Sequence, residues 1–122
     1  MRNQPDYHLF KNTRYALQGF VEVLHNETSF KIEVVGSVVI WVTLIFLSMP
    51  FWAKAVLGLS LFPVLIAELA NSAIERVVDL VTQERRPLAK HAKDAGATMV
   101  LFSLIFTGGV WAVTLYLVYF AS

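Results

Sequence analysis

The chain has 122 residues, 57% of them hydrophobic and only 16% charged, with a net charge of +1. Soluble domains carry about a quarter charged residues, so this composition, with a mean hydropathy of +0.60, points to a single-domain membrane protein. A balance so near neutral leaves no basic surplus for nucleic acid, and the lack of cysteine excludes disulfides and thiolate metal sites.

A polar, periodic segment comes first, over about residues 6–28. Leu9, Phe10, Leu17, Phe20, Val21 and Leu24 recur at helical spacing, while Lys11, Arg14, Gln18, Glu22 and His25 mostly take the other side. This reads as an amphipathic helix lying on the membrane surface. The same polar character means that no cleavable signal peptide is expected.

Three apolar runs follow, over residues 34 to about 50, 51 to about 70, and 97–121. A span needs about 20 residues, with a range of roughly 17–25. The helices that contain them are expected over about 30–50, 52–82 and 92–121. Trp52 and Lys54 in the brief first linker suit a membrane interface. Pro63 should kink the second span, and Gly108-Gly109 marks either a thin contact face or a weak point in the third. The fold class is therefore all-α: an N-terminal amphipathic surface helix and three transmembrane helices in one domain.

Nine of the ten Lys and Arg residues lie either before the first span or between the second and third, and only Lys54 lies in the other loop. The positive-inside rule then puts the N-terminus and the 76–96 loop in the cytoplasm and the C-terminus outside.

The second span runs into Glu68-Leu-Ala-Asn71-Ser72-Ala-Ile-Glu75-Arg-Val-Val-Asp79. A helix advances about 100° per residue, so Glu68, Asn71, Ser72, Glu75 and Asp79 share one stripe roughly 100° wide. An acid near the bilayer centre costs about 3 kcal/mol on insertion scales, so such a stripe reads as a functional site. Glu27, Glu33 and Asp94 are expected at the same membrane face, with Arg85, Arg86 and Lys93 close in sequence. Oxygen ligands suit a hard cation such as Mg²⁺, which is usually held by one or two carboxylates plus substrate phosphates. The basic side chains would hold those phosphates, and a remaining carboxylate would serve as general base. These are the parts of a phosphoryl-transfer site.

Blander roles exist for the same residues. Glu75 and Asp79 could be structural partners of Arg76 or Lys93, Asn71 a helix–helix hydrogen bond, and Arg85-Arg86-Pro87 a solvated loop. His8, His25 and His91 lack metal spacing. There is no glycine-rich phosphate loop, so a nucleotide site would be built from side chains.

Glu68-x-x-Asn71-Ser72-Ala73-Ile74-Glu75-x-x-x-Asp79, followed by Ala92-Lys93-Asp94-Ala95-Gly96, resembles the prokaryotic diacylglycerol kinase family of integral membrane enzymes. Asn26-Glu27-x-x-Phe30-Lys31-x-Glu33 fits as well, and the resemblance covers roughly residue 7 to the end. It implies a homotrimer that phosphorylates diacylglycerol with ATP, and Mg²⁺ as cofactor, at the cytoplasmic face of a bacterial inner membrane. It makes Glu68 the general base and Glu27 and Glu75 the metal ligands. Tyr15, Asn71, Glu75, Glu84, Arg85, Arg86, Lys93 and Asp94 would surround the nucleotide. Ser29, Phe30, Lys31, Glu33 and Glu68 would face the lipid, with Asp79, Arg14 and Lys11 in support. His8 stands where the family has an arginine, and Lys54 where an acid is expected.

Undecaprenol kinase shares these motifs and is the alternative substrate reading. A small ion or proton carrier using Glu68 and Glu75 is the alternative from another class. It would need the acids deep in the bilayer and has no use for Lys93-Asp94.

Overall fold

The computed structural model describes residues 8–121. Every regular element among them is a helix: α1 (Leu9–Asn26), α2 (Thr28–Phe46), α3 (Phe51–Leu59), α4 (Phe62–Val81) and α5 (Pro87–Tyr119). The start of the expected first helix, residues 6 and 7, lies outside the described residues, as does Arg2.

One residue separates α1 from α2. Glu27 is extended (φ −120°, ψ 112°) and serves both helices at once. Its N–H closes the last turn of α1 on the Val23 carbonyl at 2.9 Å, and its own carbonyl accepts from the Lys31 N–H at 3.1 Å. The elbow is tight because a single extended residue both ends α1 and starts α2. It is clamped by apolar packing. Phe30 is 2% exposed and sits with Val23 and Leu65 among Leu24, Val34, Trp41 and Leu69. Phe20 meets Phe30 edge to face at 5.7 Å. The elbow is thereby fixed against α4, and Glu27 with it.

Three stretches are long and apolar enough to cross a membrane: α2, α3 with α4, and α5. The first ends at Leu47, where Lys54 reaches back to donate to the Ile45 carbonyl at 3.1 Å, a cation on the free carbonyls of a helix end. The second is interrupted near its middle, as the proline predicts, by two residues that keep right-handed helical dihedrals. It breaks at Ser60–Leu61, and Pro63 enters at the start of α4. Proline has no N–H for the Leu59 carbonyl and its ring excludes that carbonyl, so the helix ends just before it.

Helix α5 has 33 residues and is about 50 Å long, well beyond a hydrocarbon core of about 30 Å. Its first turns, which carry Lys90, Lys93 and Asp94, therefore extend past the apolar region. Helix α5 packs mainly on α4. Gly108 and Gly109 make no thin contact within the chain, since a Cβ on either would meet nothing within 4 Å.

Candidate active site

The stripe on α4 divides between two neighbours. Ser72 is buried and donates from Oγ to Glu27 Oε2. One turn on, Arg76 Nη2 donates to the same oxygen at 3.1 Å, and its Nη1 donates to Glu22. Arg76 thus ties α1 and the elbow to α4 through two carboxylates. Glu22 is fully exposed, and the Arg76 hydrogen bond holds its carboxyl below the usual carboxylate range. One turn towards the membrane, Glu68 faces the Glu33 carboxyl of α2.

The other row faces α5. Asn71 Nδ2 donates to Glu75 Oε1 at 3.0 Å. Lys93 Nζ, from α5, donates to Asp79 Oδ1 at 2.8 Å. Gly96 closes this contact: a Cβ built there would lie 2.3 Å from Asn71 Oδ1, so only glycine admits the amide in this position. Asn71 Oδ1 and Glu33 Oε2 are buried without a hydrogen-bond partner among the described residues. A buried acceptor without a donor is costly, so either oxygen would gain from a donor or a cation.

Beyond these rows, the α4–α5 junction forms an open cavity of about 920 Å³, bordered by Asp79, Glu84, Arg85, Arg86, Lys93 and Asp94. Ligand sites commonly measure about 300–1,000 Å³, and this volume lies within that range. Arg86 donates twice to Glu84, at 3.1 and 2.9 Å, and Lys90 Nζ donates to Asp94 at 2.6 Å. Arg85 forms no ion pair with any described residue. All three loop residues are exposed.

The remaining expected residues are more dispersed. Ser29 and Lys31 are exposed on the first turn of α2 while Phe30 is buried in the elbow. Lys11, Arg14 and Tyr15 are exposed on α1, and Arg14 borders a shallow apolar groove of that helix with Leu17 and Val21. They are not joined to the α4–α5 cavity by any hydrogen bond or ion pair between described residues.

Three contacts had no counterpart in the sequence reading. Arg76 pairs with Glu22 and Glu27 rather than with Glu75 or Asp79. Ser72 bonds Glu27, and Gly96 seats Asn71. The signal for the last was present, because Gly96 closes the Ala92–Gly96 motif.

A metal has limited support from a single chain. Among the described residues no three acidic or histidine side chains gather closely enough to hold one. Two carboxylates with phosphate oxygens are nevertheless a sufficient set for Mg²⁺. The carboxylates of Glu27 and Glu75 and the unpartnered Asn71 Oδ1 are hard oxygen donors of the right kind.

Comparison with known proteins settles the family. The family model for prokaryotic diacylglycerol kinase matches residues 14–115. The chain belongs to the prokaryotic diacylglycerol kinase family. The diacylglycerol kinase of Haemophilus influenzae is 36% identical over 104 residues, 85% of this chain and 88% of the relative. That of Pseudomonas aeruginosa is 36% identical over 103 residues, 84% of each chain. That of Escherichia coli K12 is 32% identical over 108 residues, 88% of each chain. Membership in this kinase family makes the chain an enzyme, a membrane lipid phosphotransferase with ATP as co-substrate.

Proposed function

We propose that the chain phosphorylates diacylglycerol to phosphatidate, with ATP as donor and Mg²⁺ as cofactor, at the cytoplasmic face of a bacterial inner membrane. The observation that carries this reading is a juxtaposition. The carboxylate rows of α4 run from the apolar span directly to a cavity edged with basic side chains. A lipid hydroxyl and a nucleotide would meet along that helix.

Glu68 lies nearest the apolar end and is the general base. It takes the proton of the lipid hydroxyl as that oxygen attacks the γ-phosphorus. The bond between the γ-phosphorus and the β,γ-bridging oxygen breaks, and ADP leaves. Glu33, facing Glu68, lines the lipid side with Ser29, Phe30 and Lys31. Arg85, Arg86 and Lys93 hold the phosphates, with Tyr15, Asn71, Glu84 and Asp94 around the nucleotide. Asp79 fixes Lys93 at 2.8 Å, and Lys11 and Arg14 support the surface helix at the headgroups. Glu27 and Glu75 would hold Mg²⁺, which would supply charge neutralisation for the transferred phosphoryl group. Glu27 is first oriented for that task by Ser72 and Arg76.

Residues 1–122 form one catalytic domain, with α1 on the cytoplasmic surface, the N-terminus inside and the C-terminus periplasmic. The functional unit is a homotrimer. The exposed faces of α5 and the dispersed positions of Tyr15 and Glu27 relative to the cavity support a site completed by a neighbouring copy.

The deciding experiment offers purified protein labelled ATP with diacylglycerol and undecaprenol in competition. Label should appear in phosphatidate. Label in undecaprenyl phosphate alone would reassign the substrate, and label in neither lipid would refute the kinase reading.

A further inference from the structure

The break between α3 and α4 lies in the middle of a span. Ser60 is nine residues from Phe51, or about 14 Å along the axis, near the centre of a hydrocarbon core of about 30 Å. Backbone polar groups exposed there have no water to turn to and must be satisfied within the protein.

Side chains from all three spans converge on this turn. Trp41 of α2 donates from Nε1 to the Gly58 carbonyl at 2.9 Å. Thr107 of α5 donates from Oγ1 to the Ser60 carbonyl at 2.8 Å. Trp111, one turn further along the same face of α5, donates from Nε1 to Ser60 Oγ at 3.0 Å. Ser60 Oγ in turn donates to the Leu57 carbonyl at 2.6 Å. Ser60 and Thr107 are 5% and 8% exposed, and Leu57 beside them is fully buried. Four hydrogen bonds therefore converge on one broken turn, and two elements other than its own supply three of them. Packing alone needs no such arrangement, because an unbroken helix would leave no carbonyl to satisfy.

We infer that Trp41, Ser60, Thr107 and Trp111 are positioning residues that lock the α3–α4 break at one angle and so set where the α4 carboxylates stand. The inference rests on the kinase reading for its catalytic consequence. Glu68 lies eight residues beyond Ser60, about 12 Å along α4. A 10° swing at the break would carry Glu68 sideways by about 2 Å. Misplacement by about 1 Å can cost about 100-fold in rate. The nucleotide end of α4 is tied to α5 by Lys93–Asp79 and by Gly96 against Asn71, so the displacement falls on Glu68, between those ties and the break, and turnover should suffer more than nucleotide affinity.

The test uses the full-length protein in bilayers with Thr107→Val, which keeps the shape and removes the donor, and Thr107→Ser, which restores it. Trp111→Phe repeats the test should Thr107→Val not fold. Spin labels on Phe51→Cys and Leu80→Cys, in assemblies with one labelled copy, report the distance across the break. The donor-deleted variant should lose about 10- to 100-fold in kcat with less than about a twofold change in the KM for ATP. Its distance distribution should shift or broaden, and Thr107→Ser should restore both. A wild-type kcat in the donor-deleted variants, or a loss of kcat with an unchanged distance, would overturn the inference. A fall in thermal stability that Thr107→Ser fails to repair would also overturn it. If the parent protein phosphorylates no lipid, the kinase reading fails, and the distance still decides whether these residues hold the break.

Discussion

Gly96→Ala isolates the role of the Asn71–Glu75 contact. The added Cβ would stand 2.3 Å from Asn71 Oδ1, 3.3 Å from its Cγ and 3.6 Å from Ile74 Cδ1. Contacts below about 3 Å are not tolerated, so something has to move. Overpacking typically costs about 1–3 kcal/mol, while alanine gains about 1 kcal/mol over glycine inside a helix. The blocking atom is also the end of a short side chain, which can rotate away more readily than α5 can shift on α4. The net stability loss should thus be at most about 2 kcal/mol, a shift of several degrees in Tm. The amide, however, can no longer hold Glu75 Oε1 at 3.0 Å. Activity should therefore fall more steeply than stability, by tenfold or more in kcat/KM for ATP. Lipid phosphorylation at varied ATP and a thermal melt of the same preparation measure the two effects. In an Asn71→Ala background Gly96→Ala should cost little further activity, since the two changes act on one contact. Full activity in Gly96→Ala, or fully additive losses in the double variant, would refute the reasoning.

Glu75→Gln and Glu27→Gln keep shape but remove a charge that a cation requires; each should cut turnover by orders of magnitude and weaken Mn²⁺ binding seen by spin resonance, with assembly size unchanged. Glu68→Gln should bind MgATP nearly as the parent does by calorimetry yet lose most of kcat, and Glu68→Asp should regain part of it. Because Glu22 titrates below its ordinary value of 4.5, its tie to Arg76 contributes fully above that pH and is lost as pH falls through the lowered value. Glu22→Gln should accordingly lower Tm slightly near pH 7, by the small amount expected for an exposed pair, and leave it unchanged once the pH is below the lowered value, a difference read from Tm against pH. An impermeant thiol reagent added to intact cells should label Ser48→Cys and spare Gln83→Cys; the reverse pattern would overturn the proposed orientation.

The helical class and the three spans were legible because they rest on run length and charge exclusion, which are properties of the sequence alone. The carboxylate stripe was legible for the same reason, as a matter of 100° per residue. Its division was not. Ser72 and Arg76 turn to Glu27 while Asn71 and Glu75 turn to the α5 side, and which half of a stripe meets which neighbour depends on how α4 is rolled in the bundle. Arg76 shows the limit well. Its nearest acids in sequence, Glu75 and Asp79, are not its partners, because a long side chain at a helix–helix seam reaches across rather than along. Pro63 announced an interruption, and it falls in the preceding turn, at Ser60–Leu61.

The glycines give the sharpest contrast. Gly108-Gly109 drew notice as a pair in an apolar run, whereas a single glycine amid charged residues makes the close contact. A close approach is decided by what lies opposite, and at position 96 that is a polar amide. A glycine that admits an amide serves the site, and one that admits only a backbone serves helix packing. By this criterion Gly96 belongs with Asn71 and Glu75. The site is then better described as a seam between α4 and α5 than as a stripe on α4 alone. That seam has two fixed ends. Lys93–Asp79 and Gly96–Asn71 set the contact beside the cavity, while Thr107 and Trp111 hold the break at Ser60. Glu68 lies between them, so its position depends on both.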